Sequence, residues 1–533
     1  MMSNIKPLAT LRVLLLCSVV MLLPDGTMAQ EQDQQPKVQV SDMLEEMFRS
    51  NEAVFYSFNY PSKNVAGEDI VLSSSLIAWA PYDSEETDSI ESLHIYSHYT
   101  ITADRECPTS KKNIKDRLLF TSLVGSHYGI GQDSDCDFIS HCVVIAPDYE
   151  GYGVTSSLPH PYLAQELTAQ QVMDGVTYGL QLYQKLVNEQ EALPFKSDWR
   201  TFAYGFSQGG AVTLAVQRLI ERQQMGNELH FRGSLCGDGP YDLLATMHYY
   251  IYDDGSNYGV TTDHQKGFTS MPQVVPMIIK GMLDSHPDLK HYTLEDYLSQ
   301  QFLDTGIIDW IQSKTLTTNE IAKNWYQQLQ TGFDTLDRHY SKEQMAEMFY
   351  SPEKDKVWGR LEKMFTPAFY EYLLSKYEAE GASYEAQGDA RYEAMYRALT
   401  DNSVCTGWDP MYRIQFLHSK KDMTVPYSNY LAFCEAHPDG EGTLYKMDNT
   451  YTSLDHVDAG TVFFLCLTTT GTFGKYFKWL DQVTDIAGIG TQHSTTNVQR
   501  STTDYYTLDG QRLKSRPTRK GIYIRNNRLI IID

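Results

Sequence analysis

The sequence runs to 533 residues, 42% of them apolar, enough to bury a full enzyme core and still carry a large insertion or appendage. Lys and Arg total 44 against 68 Asp and Glu, a formal net charge of -24 with a sequence pI near 5.0. That balance repels phosphate backbones and anionic membrane surfaces, which excludes nucleic acid as an expected partner.

At the start of the chain, Lys6 and Arg12 precede an apolar run from Val13 to Leu23, and Thr27-Met28-Ala29 supplies a small-x-small cleavage site. Residues 1-29 therefore read as a secretory signal peptide, and the protein is expected to be exported to the periplasm, the cell surface or the medium. The run is far shorter than the ~20 residues needed to span a bilayer, and Pro24, Asp25 and Gly26 end it. Cys17 follows Leu16, where a lipoprotein signal would carry a small residue. Seven cysteines remain after cleavage. In an oxidising compartment up to three pairs are open to them, with Cys136–Cys142 and Cys405–Cys434 suggested by position and buried free thiols as the alternative.

From residue 69 onward, apolar β-rich runs alternate with helical ones, the mark of an α/β sheet protein. The expected strands are Ile70 to Ala80, Leu93 to Tyr99, Cys142 to Ala146, Thr201 to Tyr204, Arg232 to Cys236, Arg413 to Leu417 and Thr443 to Met447. Between them lie helical stretches at Gln165 to Val187, Gln208 to Arg222 and Ala459 to Leu480. Several strands are continuously apolar, as parallel strands buried on both faces must be.

The alternation stops after Asp242 and resumes near Met411. Helix starts dominate the interval: Thr317 with Glu320 and Ser341 with Gln344 fit capping boxes, and Ser351-Pro352 and Thr366-Pro367 place a cap residue before a proline. An inserted helical cap over 244-404 is expected, with a separate non-catalytic domain as the alternative. Residues 486-503 are polar and rich in Ser and Thr, a linker composition. Beyond it, turns at Asp509-Gly510 and Asn526-Asn527 between short apolar runs predict β-hairpins in a small tail over 504-533. From Arg500 onward eight Lys or Arg face three Asp, so this end is basic.

Gly205-Phe206-Ser207-Gln208-Gly209 is a G-x-S-x-G sequence between the apolar run Phe202 to Tyr204 and the helical run Ala211 to Ile220. Strand, tight turn and helix is the setting that exposes a nucleophilic serine, and the glycines are needed where Cβ atoms would strike the neighbouring strand and helix. A serine hydroxyl needs a base to take its proton and a carboxylate to hold that base in one tautomer. Asp422, in a loop after the strand ending at Leu417 and before Val425-Pro426, is placed to be that acid, ahead of Asp409 and Asp448. His456, in the loop between the last strand and the last helix, is placed to be the base, ahead of His418, His437 and His493. Two N–H donors must face the developing oxyanion. The backbone of Gln208 supplies one, and Tyr99 is expected to supply the other, with Thr100 close behind. His94 and His98 find no third ligand for a metal and read as packing residues. Asp133, Asp135 and Asp137 lack the glycine and terminal glutamate of a calcium loop, with Phe138 and Val144 in those places.

These residues resemble the secretory-lipase branch of the α/β-hydrolases over about 69 to 480. The resemblance rests on Ala146-Pro147-Asp148-Tyr149-Glu150-Gly151-Tyr152-Gly153, His160-Pro161-Tyr162-Leu163, the Ser207 turn, Gly239-Pro240-Tyr241-Asp242-Leu243 and Asp455-His456, with Cys107-Pro108-Thr109-Ser110 downstream of the oxyanion loop. It implies an α/β-hydrolase sheet with a large inserted helical cap, and hydrolysis of carboxylic esters, often lipid-like, without a cofactor or metal. Where bacterial members tend to read His-Gly-Thr, this chain reads His98-Tyr99-Thr100, which narrows the backbone's freedom. The tail pattern Leu508-Asp509-Gly510-Gln511-Arg512 and Lys520-Gly521-Ile522-Tyr523-Ile524 resembles the C-terminal sorting tails of the type IX secretion pathway of Gram-negative bacteria, which implies a secretion machinery as partner.

The sequence thus leads to an exported serine hydrolase of small-molecule or lipid esters, with the catalytic domain over 30-243 and 405-485. An exported serine peptidase with the same triad, and a non-catalytic surface binding protein on a hydrolase scaffold, are the alternatives.

Overall fold

The computed structural model describes residues 53–79, 88–124, 141–254, 256–377, 388–448, 453–468 and 470–482, with the tail strands at 505–506, 512–513, 521–525 and 528–532. The expected signal peptide and linker, Cys136, His493, Asp133, Asp135 and Asp137 lie outside the described residues. Residues 1–484 and 485–533 form two units.

Eight strands make one sheet. In chain order they are β1 (Ala53–Lys63), β2 (Asp69–Trp79), β3 (Ile90–Ser97), β4 (Cys142–Pro147), β5 (Phe195–Phe206), β6 (Phe231–Gly237), β7 (Arg413–Leu417) and β8 (Tyr445–Met447). Their spatial order is β1-β2-β4-β3-β5-β6-β7-β8. β2 runs antiparallel to β1 and β4, and every pairing from β4 to β8 is parallel. All six residues of β4 are buried, as are the last six of β5. Such strands need helices on both faces to keep water from the apolar surface. Gln165–Asn188 packs on Gln208–Arg222 and against β1, β2 and β4, while Ile114–Val124 packs on His456–Thr468, and Thr470–Asp481 lies against β6 and β7.

The chain leaves β6 at Gly237 and returns to β7 at Arg413, and the interval is mostly helical. Its aromatic core gathers Trp325, Phe302, Phe349, Tyr297, Phe369 and Tyr392, and continues into Tyr162 and Leu163 of the sheet unit. Two contacts close its base: Val404 N donates to Tyr241 O at 2.9 Å, and Ser403 Oγ donates to Asp242 Oδ2 at 2.9 Å. The capping boxes at Thr317 and Ser341 open helices Thr318–Thr331 and Lys342–Met348, and Pro367 opens Pro367–Tyr377. Ser351-Pro352 opens no helix; the segment turns, with Asp355 at φ 63, a left-handed conformation that ends helix growth. The cap also holds a three-stranded sheet of Phe268–Thr269, Phe349–Tyr350 and Trp358–Arg360.

Cys107, Cys142, Cys236, Cys405 and Cys434 are free thiols, all but Cys434 buried. Burial alone drives the Cys142 thiol far above its ordinary pKa, which makes it inert packing rather than a redox group. Among the described residues no helix is long and apolar enough to cross a membrane. The tail, a unit by itself, is a four-stranded antiparallel sheet in which Gly521–Arg525 pairs with Arg528–Ile532; Asn526-Asn527 lies outside the described residues.

Candidate active site

At the C-terminal end of β5 the chain turns sharply into the helix Gln208–Arg222. Ser207, between them, has φ 57 and ψ -125, a conformation that L-residues rarely hold and that costs about 1–3 kcal/mol. The surroundings enforce it. A Cβ at Gly205 would stand 2.4 Å from Gly209 O and 2.5 Å from Ser97 O, and one at Gly209 would stand 2.0 Å from Ser97 O. Because backbone and not a flexible side chain is in the way, Gly209→Ala is expected to lower stability by about 2 kcal/mol or more and to displace Ser207. A thermal melt with an activity assay on the refolded variant checks both.

Ser207, Asp422 and His456 come from three different strand ends and meet, buried, in one hydrogen-bonded line. Ser207 Oγ lies 2.9 Å from His456 Nε2, and His456 Nδ1 lies 2.5 Å from Asp422 Oδ2. The other carboxylate oxygen, Oδ1, accepts N–H bonds from Thr424 and Val425, each at 2.8 Å. Asp422 is therefore an acceptor at every contact with these residues, so its Oδ2 takes the proton-bearing Nδ1 of His456 and leaves Nε2 with a lone pair toward Ser207. The Phe206 ring stands 5.0 Å from the imidazole, centroid to centroid, and covers its face.

The rival residues lie elsewhere. His437 Nε2 bonds Cys405 O at 2.7 Å, and Asp448 takes the Tyr476 hydroxyl and an ion pair with Lys475 at 3.2 Å. His418 is buried against Val425 O at 2.9 Å, and burial pushes its pKa down to about 4. His94 is packed edge-on against Phe202 and Tyr204, with no hydrogen bond to either ring nitrogen among the described residues, a core histidine driven by burial to about 3.

Tyr99 and Thr100 line the cavity onto which Ser207 and His456 open. His98, stacked 3.8 Å from Tyr149, places Nδ1 2.7 Å from Tyr99 O and Nε2 3.2 Å from Asp148 O. Burial holds the ring neutral, with its pKa lowered to about 4, so it donates once, to the nearer Tyr99 carbonyl. The peptide plane from Tyr99 to Thr100 is fixed by that bond. Gln208 is the first residue of its helix, and its N–H is one of the four there with no intrahelical acceptor.

Two supports of this loop escape sequence reading. His160 Nδ1 donates to Glu150 O at 2.7 Å, which leaves its Nε2 to accept from the Gln208 amide at 2.9 Å. Asp148, wholly buried, accepts from Ser73 Oγ at 2.6 Å, from Thr109 N at 2.9 Å and from the Thr109 hydroxyl. The blocks that carry them were visible as text, but partners 39 to 75 residues apart leave no local pattern.

The cavity is walled mostly by apolar side chains, among them Leu119, Leu163, Tyr250, Met271, Val274 and Ile278. Its far walls come from both the sheet unit and the cap. Thr100 Oγ1 and Tyr162 OH, 2.8 Å apart, add a polar contact beside the Tyr99–Thr100 segment.

No protein-family model matches the chain, and no curated protein matches it by sequence. Solved structures do. A candidate hydrolase from Legionella pneumophila superposes with a TM-score of 0.54 at 14% identity, covering 82% of this chain and 95% of that one. A ligand-bound form of the rice cell wall degrading esterase LipA from Xanthomonas oryzae gives 0.54 at 18% identity, covering 80% and 91%. The chain has the α/β-hydrolase fold. In this fold the cap is the insertion between β6 and β7, and the Ser207 turn lies at the end of β5.

Proposed function

We propose that the protein is an exported serine hydrolase of the secretory-lipase branch that cleaves carboxylic esters through an acyl-enzyme. The observation that carries this reading is the hydrogen-bonded line Ser207–His456–Asp422 opening onto an apolar cavity. His456 Nε2 takes the Ser207 proton as Oγ attacks the ester carbonyl, and the imidazolium is stabilised by Asp422. The tetrahedral oxyanion is met by the backbone N–H of Gln208 and by one from the Tyr99–Thr100 loop. His456 then gives its proton to the leaving alcohol, and water, deprotonated by the same base, releases the acid. Neither step needs a cofactor or metal. The esterase neighbour and the apolar walls both favour an ester with a hydrophobic acyl or aryl group over a peptide.

The decisive experiment is hydrolysis of p-nitrophenyl esters over a range of acyl lengths, with fluorophosphonate labelling mapped by mass spectrometry. Turnover with the label on Ser207 is expected; a folded protein that neither turns over any ester nor takes the label would end the reading, and preference for peptide anilides would move it to a peptidase. Ile278→Trp, which fills part of the cavity, is expected to cut kcat/KM for the longest accepted esters at least about tenfold while sparing acetate esters.

Export belongs to the same proposal. The signal-like segment 1-29 and the type IX-like tail would carry the enzyme out, with the secretion machinery as its partner. Expression with and without residues 504-533 in a host that has that pathway tests it: the truncated chain should stay in the periplasm.

A further inference from the structure

A fourth ionisable side chain stands beside the triad and has no part in the mechanism above. β6 and β7 are parallel neighbours with Gly237 opposite Leu417, so Asp238 and Ser419 emerge just beyond adjacent strand ends. Asp238 N donates to Leu417 O at 2.8 Å, and Ser419 N donates to Asp238 Oδ1 at 2.8 Å. The residue has φ 35 and is 2% exposed, an unfavourable conformation and an unfavourable place for a charge. A carboxylate oxygen of Asp238 lies within 4.8 Å of one of Asp422, with both residues buried.

Two carboxyl groups at that separation cannot both ionise, and only a protonated one can donate to the other. The bonds already described decide which keeps the proton. Asp422 accepts from Thr424 N, Val425 N and His456 Nδ1, three donors that favour its anion. Among the described residues, Asp238 has one backbone donor, Ser419 N. Resting on the triad reading, we propose that Asp238 is a positioning residue: it keeps its proton, donates it to Asp422, and so holds the carboxylate that orients His456.

Burial first, and then the charge of Asp422, raise the Asp238 carboxyl well above the usual carboxylate range, against the opposing pull of the Ser419 N–H. The other titratable groups facing the pair do not reverse this. His418, from the strand end of β7, is held neutral by burial, and its Nε2–H is spent on Val425 O. Tyr241 follows on the same segment as Asp238 and is likewise buried. His456 faces Asp422 at Oδ2. Asp238, His418 and Asp422 also each offer a ligand atom within 4.8 Å of the others, so a bound divalent cation is the rival occupant of this spot.

The test uses the full-length protein and three measurements. In the infrared difference between wild type and Asp238→Asn at neutral pH, a carboxylic-acid C=O band is expected in the wild type; carboxylate bands alone would overturn the proposal. Asp238→Asn, whose amide can still donate to Asp422 and accept from Ser419, should keep kcat within about threefold, whereas Asp238→Ala should lose roughly 10- to 100-fold in kcat with KM little moved. An alanine variant with wild-type kcat, or an asparagine variant as damaged as the alanine one, would also overturn it. If the alanine variant fails to fold, the infrared band and the asparagine variant still decide. Metal analysis should find no stoichiometric cation; one equivalent whose removal abolishes activity would assign the three side chains to a metal instead. A wild type that hydrolyses no ester and resists labelling at Ser207 would end the hydrolase reading alone, and the infrared band would still place the proton.

Discussion

Ser207→Ala is expected to lower ester turnover by roughly 10⁶-fold while leaving the fold in place. The size of the loss follows from the line of bonds: without Oγ the base His456 has nothing to activate, and what survives is the oxyanion donors and substrate binding. Stability should separate two variants that activity does not. Alanine keeps the same Cβ at φ 57 and retains the strain, whereas Ser207→Gly can adopt that backbone freely and should be more stable than Ser207→Ala by about 1 kcal/mol. Turnover above this level in purified Ser207→Ala would show that another group attacks the ester, and equal melting temperatures would show that the turn stores no strain.

Asp422→Asn should cost about 10⁴-fold in kcat, and for a different reason. Both oxygens of Asp422 face donors: Thr424 N and Val425 N on one, His456 Nδ1 on the other. An amide has one acceptor. If its oxygen stays with the two backbone N–H groups, its NH2 faces His456 and forces the ring proton to Nε2, so a donor then points at Ser207 and cannot take the serine proton. Fluorophosphonate labelling should slow by a similar factor, because it needs the same proton transfer. Wild-type labelling in this variant would remove Asp422 from the triad.

The positions of Ser207, Asp422 and His456 were legible because each is tied to a local pattern, a strand end followed by a turn or loop. The half-exposed first strand, β1, was not legible; it carries Pro61, which argues against a strand, and it is held by register with β2 over eleven residue pairs. The Ala459 to Leu480 stretch reads as helical from its apolar spacing, and the structure places helix there, over His456–Thr468 and Thr470–Asp481. In the cap, helix starts announce themselves through capping side chains, but strands of two or three residues are too short to show a period of two. Asp238 gave no signal at all: its meaning depends on a carboxylate 184 positions later, brought near only by strand pairing.

The cap holds both halves of the chemistry. Tyr250 donates its hydroxyl to Thr424 O, and Ser270 Oγ lies 2.9 Å from Thr424 Oγ1, on the residue whose N–H grips Asp422. On the other side Thr102 Oγ1 donates to Leu316 O at 2.7 Å and Asp104 N to Lys314 O at 2.8 Å, just past the oxyanion loop. Specificity and catalysis are therefore inherited together. A graft that exchanges residues 244 to 404 for a relative's insertion has to bring counterparts of the Tyr250 and Ser270 hydroxyls with it, and a backbone path that sets carbonyls where those of Lys314 and Leu316 stand.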